Sequence, residues 1–371
     1  MKKTDQNNKF QINDELIDNI INLIDNSDNK RILKNFNELH HADIAEILEE
    51  LTSDQATYII KLLDSEKTSD ILMELDDDDR ERILNNLSAK EIAEEVEELD
   101  TDDATDIISE LPEERQKRVI SKIEDKEHKA DIKELLKYDE DSAGGLMAKE
   151  LVKVNENWSV TRCVKEMRSQ ASEVTRVHSV YVVDNNDKLL GRLSLKDLLV
   201  ANPKSNIKAI YISKVDFVNV NDSGEHVASI MQKYDLGAIP VVDNKQKLLG
   251  RITIDDIVDL IKEEAEKDYQ LAAGITQDVD VDDSIYKLSW ARLPWLFLGL
   301  LGGIGAAAVM GGFEEILMKY KILFYFTPLI AAMAGNVGVQ SSAIIVQGLA
   351  NDDIKDSINN RLFKETLLSI M

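Results

Sequence analysis

Val182-Val-Asp-Asn-Asn-Asp-Lys-Leu-Leu-Gly-Arg-Leu-Ser-Leu-Lys-Asp-Leu-Leu199 recurs further along the chain as Val241-Val-Asp-Asn-Lys-Gln-Lys-Leu-Leu-Gly-Arg-Ile-Thr-Ile-Asp-Asp-Ile-Val258. Each copy reads strand, turn, strand, helix. The Val, Ile and Leu runs suit a pleated, buried surface, and Asp184-Asn and Asp243-Asn suit tight turns. Ser194 and Thr253 stand where a cap starts the next helix. An amphipathic helix precedes each strand pair, Ser159 to Met167 and Gly224 to Tyr234. The repeat predicts a tandem α/β pair, residues 138–200 and 201–260.

Toward the N-terminus, residues 1–137 cycle through a different and shorter unit. Ala42-Asp-Ile-Ala-Glu-Ile-Leu-Glu-Glu-Leu51, Thr68-Ser-Asp-Ile-Leu-Met-Glu-Leu75, Ala89-Lys-Glu-Ile-Ala-Glu-Glu-Val-Glu-Glu-Leu99 and Asp103-Ala-Thr-Asp-Ile-Ile-Ser-Glu-Leu111 share one apolar pattern. Ile and Leu fall at helical spacing, with a polar break every dozen or so residues. Such helices cannot bury an apolar stripe alone, so an all-α superhelical stack is expected. Ser, Thr and Asp at the breaks, as in Thr52-Ser-Asp, Leu75-Asp-Asp and Asp100-Thr-Asp, supply N-caps. Most carboxylates here read as a solvated face. Asp102 and Asp106 stand apart, because a spacing of four puts two anions on one helical face, where they repel unless a cation lies between them. Tyr138-Asp-Glu-Asp-Ser-Ala-Gly-Gly-Leu-Met147 breaks the pattern and marks the domain boundary.

Toward the C-terminus, Asp255 to Asp268 reads as an acidic helix. Asp256, Asp259 and Glu263 share one side and Glu264 and Asp268 an adjacent one, so the helix repels itself without cations. This connecting segment, 261–290, leads to Trp290-Ala-Arg-Leu-Pro-Trp295 and an apolar span, 291–316, rich in glycine and alanine. A second span, 322–350, carries no charge from Ile322 to Ala350. That exceeds the length needed to cross a bilayer, and Pro328 with Gly335 and Gly338 predicts a bend or close helix crossing. Its amides and hydroxyls suit a lining role better than simple anchoring. Residues 351–371 read as a loop and the start of a third apolar run.

The net charge of −26 excludes general affinity for nucleic acid. A single cysteine, Cys163, allows no intrachain disulfide and reads as a core residue, and the N-terminus lacks the apolar region of a cleaved signal. Neither a catalytic barrel nor a Gly-rich phosphate loop is present, so an enzyme is not expected. The five histidines, His40, His41, His128, His178 and His226, read as structural.

Gly191-Arg-Leu-Ser-Leu-Lys-Asp197 and Gly250-Arg-Ile-Thr-Ile-Asp-Asp256 resemble the signature of the tandem CBS module. In nucleotide-binding modules of this kind the Asp holds ribose hydroxyls and the Ser or Thr helps hold phosphate. The resemblance therefore offers Ser194, Lys196, Asp197 and Thr253 as candidates for ATP or another adenine nucleotide, with Lys196 standing where ATP-binding members have Arg. The order of acidic helical region, CBS pair, connecting helix and apolar spans resembles the MgtE family of magnesium channels, as do Pro328-Leu-Ile-Ala-Ala-Met-Ala-Gly-Asn-Val-Gly-Val-Gln340 and the junction at 138–147. That resemblance implies a multi-domain homodimer: an all-α N-domain, an α/β CBS pair, a connecting (plug) helix and α-helical transmembrane segments, here incomplete. It places the protein in the plasma membrane as a multi-pass channel with a large cytoplasmic N-terminal region. Intracellular Mg²⁺ would gate it through Asp102, Asp106, Glu225, Asp235, Asp256, Asp259, Glu264 and Asp268. Pro328, Gly335, Asn336 and Gln340 would belong to the pore, with Glu314 near its outer mouth. The rival is a membrane-tethered CBS sensor of cations or adenine nucleotides that conducts nothing.

Overall fold

Eight successive helices begin at even intervals, at positions 29, 41, 53, 65, 77, 89, 101 and 113. The computed structural model describes residues 12–350 except 172, 173, 175, 178, 278 and 280–282, together with 360, 363, 364 and 367. His178 and nearly all of 351–371 therefore lie outside the described residues. The chain divides into two units, Met1–Ile257 and Val258–Met371.

The first unit opens with ten helices: α1 (Asp14–Asp25), α2 (Asn29–Asn37), α3 (His41–Glu49), α4 (Ser53–Ile60), α5 (Ser65–Glu74), α6 (Asp77–Leu84), α7 (Ala89–Val96), α8 (Thr101–Ser109), α9 (Glu113–Lys122) and α10 (Lys126–Leu135). Each has an N-cap at the polar break, and several caps are made by side chains. Asp64 accepts from the Lys67 N–H at 3.1 Å and Ser88 from the Glu91 N–H at 3.3 Å, each worth about 1 kcal/mol. Helices pack on their next-but-one neighbours, α3 on α5, α4 on α6, α5 on α7, α7 on α9 and α8 on α10. Ile44, Ile71, Leu72, Ile83, Leu84, Ile107 and Ile108 are fully buried in one continuous core. The repeat extends to polar ties. Ser53 donates to the Arg82 carbonyl at 3.2 Å, and at the equivalent position one helix later Ser65 donates to the Glu94 carbonyl at 3.1 Å. Lys67 Nζ donates to the Phe36 and Leu39 carbonyls, and four helices later Arg115 does the same for Leu84 and Leu87. These cations satisfy carbonyls at and beyond the C-terminal ends of α2 and α6.

The junction that follows is tied to the second α/β copy. The Ala143 N–H donates to the Asp222 carbonyl and the Gly224 N–H to the Asp141 carbonyl, both at 2.7 Å. Gly145 is required here, since a Cβ would collide with the Asp139 carbonyl oxygen.

The two copies fold alike. Copy one contains β1 (Val152–Asn155), α11 (Val160–Gln170), β2 (Val180–Val183), β3 (Leu189–Leu193) and α12 (Leu195–Val200). Copy two contains β4 (Val218–Asn219), α13 (Gly224–Tyr234), β5 (Ala238–Val242), β6 (Leu248–Thr253) and the start of α14 (Ile254–Ala272). In each sheet the first strand is parallel to the second and the second antiparallel to the third. The register slips at Val182/Val183 and again at the matching pair of copy two, Val241/Val242. The expected turns form: Asp184 accepts from the Asn186 and Lys188 N–H groups and Asp243 from those of Lys245 and Lys247. The hairpin ends join the copies, with Leu189 N–H donating to the Gln246 carbonyl and Leu248 N–H to the Asp187 carbonyl. Cys163 is buried in the first copy's core, its sulfur 3.6 Å from that of Met167.

One continuous helix, α14, serves as the last helix of copy two and as the connecting helix. The second unit then contains α15 (Ile285–Gly311), α16 (Glu314–Lys319), a 3-10 segment at Lys321–Phe326 and α17 (Thr327–Ala350). Two stretches, Ile285–Gly311 and Lys321–Ile345, are long and apolar enough to cross a membrane, and neither is buried by the rest of the chain. The helix boundaries differ from those read off the sequence. The α15 helix starts at Ile285, ahead of position 291, and runs through Pro294, while the span from 322 opens as a 3-10 segment. Pro328 is the second residue of α17. In a first turn its missing N–H has no helical partner to lose, so it starts the helix instead of bending it. Gly335 and Gly338 have nothing within 4 Å of a built Cβ.

Candidate cation site

The polar break before α8 is handled differently from its neighbours. Asp100 holds the N-cap position, but its side chain makes no cap hydrogen bond. Its carboxylate lies 3.0 Å from Arg251 Nη2 of β6. Glu150, just before β1, takes over at the helix start: its Oε2 accepts from the Thr101 N–H at 3.1 Å and the Thr101 hydroxyl at 2.8 Å. That hydroxyl in turn accepts from the Lys149 N–H at 2.8 Å. Arg251 closes the circuit by donating Nε–H to the Glu150 carbonyl at 2.5 Å. Its side chain is only 6 % exposed. The helical stack, the β1 approach and the second copy thus meet at the first turn of α8.

Around this meeting point carboxylates outnumber cations. Asp102 is 8 % exposed and accepts only the neighbouring Asp103 N–H among the side-chain bonds of the described residues. Carboxylate oxygens of Asp100, Asp102 and Glu150 lie within 4.8 Å of one another. Burial, then the charges of Asp103 and Asp256, holds the Asp102 carboxyl well above the ordinary carboxylate range. Burial and then Asp256 push Asp103 to about 8. Asp106 is an exposed residue whose carboxyl is nonetheless pushed to about 7, by burial first, with Arg80 pulling the other way. Asp256 is raised by burial, against its bonds from the Thr253 N–H at 3.0 Å and hydroxyl at 2.5 Å. Asp102, Asp103 and Asp256 are each harder to ionise than a free carboxyl and offer only oxygen donors, a set matched to a hard divalent ion, whose trans oxygens span roughly 4–5 Å. A bound ion would neutralise α8 against the first turn of α14.

At the far end of α8, Arg80 is buried and pairs with Glu110 and Asp77 while donating to the Leu75 carbonyl at 3.1 Å. Asp100 and Glu110 therefore have arginine partners, and no ion pair reaches Asp102 or Asp103 among the described residues.

Of the carboxylates offered by the sequence, Asp102, Asp106 and Asp256 share one electrostatic neighbourhood. Glu225 and Asp235 do not share another. They stand at opposite ends of the 11-residue α13, about 15 Å apart, both exposed, with Asp235 in the left-handed region at φ 50°. Asp259, Glu264 and Asp268 lie further along α14, where Glu264 pairs with Lys267 at 3.2 Å. The copies differ at the nucleotide signature. Thr253 and Asp256 bond each other, whereas the Ser194 hydroxyl makes no cap bond, and Lys196 and Asp197 occupy the first turn of α12. The cleft lined by Leu189, Leu190, Ser213, Val215, Phe217 and Gln246 includes none of these residues. Glu314 begins α16, and Gly335, Asn336 and Gln340 lie along α17 with the two amides one turn apart. His128 Nε2 meets the Val96 carbonyl, and the His41 ring lies between Asp70 and Glu74.

Sequence reasoning missed Asp100, Asp103, Glu150 and Arg251. Asp100 read as an ordinary cap. Asp103 carried a usable signal, three residues before Asp106. Glu150 and Arg251 reach the site only through tertiary folding.

The MgtE intracellular N domain family model matches residues 39–141, and the CBS domain family model matches 143–204 and 207–263. The magnesium transporter MgtE of Enterococcus faecalis is 37 % identical over 236 residues, covering 64 % of this chain and 52 % of that protein. The magnesium transporter MgtE of Bacillus subtilis is 32 % identical over 237 residues, with the same shares. The chain thus spans about half the length of these relatives. Among solved structures, the cytosolic domain of the Mg²⁺ channel MgtE in complex with ATP superposes with a TM-score of 0.62 at 30 % identity, covering 66 % of this chain and 99 % of that one. The soluble part of a magnesium transporter gives 0.60 at 28 % identity, over 68 % and 98 %.

Proposed function

Because the chain belongs to the MgtE family, we propose that it serves Mg²⁺ transport across the plasma membrane and that its acidic cytosolic region senses the intracellular ion. The observation that carries this reading is the carboxylate group at the first turn of α8, with Asp102 buried and its neighbours half-buried, set against Asp256 at the start of α14. With no divalent ion present, ionised Asp102, Asp103 and Asp256 repel across this contact, or take up protons to avoid doing so. With Mg²⁺ bound, the same oxygens attract one ion and the contact tightens. Since α14 continues to Ala272, next to the first apolar helix in sequence, tightening at Asp256 bears on the segment that enters the membrane. Asp106 belongs to this set. Asp259, Glu264 and Asp268 on α14, and Glu225 and Asp235 on α13, are proposed as further cation ligands. High cytosolic Mg²⁺ would hold the channel closed and its loss would release α14.

The pore is proposed to form in a homodimer, with Asn336 and Gln340 of α17 presenting oxygens to a hydrated ion, Pro328 and Gly335 shaping the helix and Glu314 near the mouth. Apolar exposure on α12 supports a second copy: Leu199 and Val200 are 86 % and 78 % exposed. An adenine nucleotide would be held at Ser194, Lys196 and Asp197, with Thr253 contributing from copy two. The neighbour solved with ATP and the Ser194 hydroxyl, which makes no cap bond, support this.

The test is flux. Full-length protein in liposomes should admit Mg²⁺ down its gradient, and millimolar Mg²⁺ on the cytosolic face should suppress the flux. Absence of uptake under every condition would instead identify a tethered sensor.

A further inference from the structure

We propose that Arg251 is a tethered counter-ion that a divalent cation must displace from Asp100, so that this side chain sets the cation concentration to which the site responds. The inference rests on the cation-sensing reading above and concerns a residue outside the expected ligand set.

Three observations carry it. The guanidinium is placed at the site itself: Nη2 is 3.0 Å from Asp100, one of three carboxylates whose oxygens lie within 4.8 Å of one another. It is held there from behind, by its Nε bond to the Glu150 carbonyl and by backbone bonds in both directions between Arg251 and Ala148. It is also buried, so its charge acts at short range with little screening by solvent. A divalent ion using Asp100, Asp102 and Glu150 competes with the guanidinium for the Asp100 carboxylate. In the exchange Asp100 turns from Arg251 to the ion, and the Nε bond keeps the guanidinium docked on the Glu150 carbonyl while Nη2 lets go. Each cation-binding event then carries the cost of breaking one ion pair between a buried guanidinium and a half-buried carboxylate, which weakens apparent affinity and moves the response to higher concentration. Without the ion, the same pair keeps the helical stack joined to β6.

The test uses Mn²⁺ as probe on the full chain in detergent micelles, with free Mn²⁺ counted by electron paramagnetic resonance and Mg²⁺ as competitor. Four proteins are compared: wild type, Arg251→Gln, Asp100→Asn and the double variant. Exchange predicts that Arg251→Gln binds Mn²⁺ roughly tenfold more tightly. Asp100→Asn alone should change affinity by less than about twofold, because it removes a ligand and the competing pair together. In the Arg251→Gln background the same change should weaken binding roughly tenfold. Equal tightening by Arg251→Gln in both Asp100 backgrounds would show a charge that merely repels, and overturns exchange. Weaker binding by Arg251→Gln would show a scaffold residue, and also overturns it. Should Arg251→Gln lose its fold by circular dichroism, Arg251→Lys takes its place. A lysine ammonium cannot hold both Asp100 and the Glu150 carbonyl in the same fork, so several-fold tightening is expected and unchanged affinity refutes the idea. If wild type and all variants bind no Mn²⁺ at millimolar concentration, the sensing reading itself fails; binding that ignores Arg251 defeats only the exchange.

Discussion

Replacing Asp103 with Asn should stabilise the cation-free protein and weaken its response to Mg²⁺. The side chain is nearly isosteric, so the change removes charge while keeping shape. In the fold the Asp103 carboxyl is raised from 3.8 to about 8, by burial first and Asp256 second. A carboxyl raised in the native state binds its proton more tightly there than in the unfolded chain. Stability is therefore greatest below about pH 4 as far as this group is concerned, and it falls as pH rises from about 4 to 8. At 1.36 kcal/mol per pH unit the ceiling is roughly 5–6 kcal/mol. Asp103 retains partial contact with water and shares its titration with neighbouring carboxyls, which brings the expected gain at pH 8 to about 2 kcal/mol. For a unit of this size that corresponds to a rise in Tm of about 4–8 °C. Thermal unfolding in EDTA at pH 8, followed by circular dichroism, measures it. Adding millimolar Mg²⁺ should raise the wild-type Tm and raise the Asp103→Asn variant much less. A lower Tm for the variant in EDTA, or an equal Mg²⁺ response in the two proteins, would refute the reasoning.

Glu95 makes a second pH-dependent site inside the helical stack. Burial raises it to about 7 against the bond from Ser65 at 2.9 Å, so Glu95→Gln should add about 1 kcal/mol at pH 8 and almost nothing at pH 5 in urea unfolding. Arg80→Ala should cost about 3–5 kcal/mol in the same assay, because it leaves Glu110 and the Leu75 carbonyl without their buried partner. Gly250→Ala would bring a Cβ within 2.5 Å of the Ala148 carbonyl and is expected to cost about 2–4 kcal/mol, read as a lower urea midpoint.

The repeats were legible because both are written at fixed period. Val182 and Val241 announce equivalent strands in the two copies, and the recurring polar break of the N-terminal region becomes an even step from one helix start to the next. Asp102 and Asp106 were legible through helical spacing. Glu150 was not, because it reaches Thr101 across 49 positions and no local pattern records that approach. Asp100 was misleading for a related reason: its position is that of a cap, but Arg251, 151 positions away, draws its carboxylate off. Pro328 shows the opposite limit, a residue whose effect depends on where the helix starts. In an interior it bends the helix, and in the first turn of α17 it costs nothing.

Hydrogen exchange with and without Mg²⁺ tests most directly whether a divalent ion joins α8 to the start of α14. Millimolar Mg²⁺ should slow exchange in residues 101–109 and 251–257 of the wild-type protein, and should leave both segments unchanged in an Asp102→Asn, Asp103→Asn, Asp256→Asn variant that retains its helical circular dichroism. Equal protection of both segments in the two proteins would contradict the account.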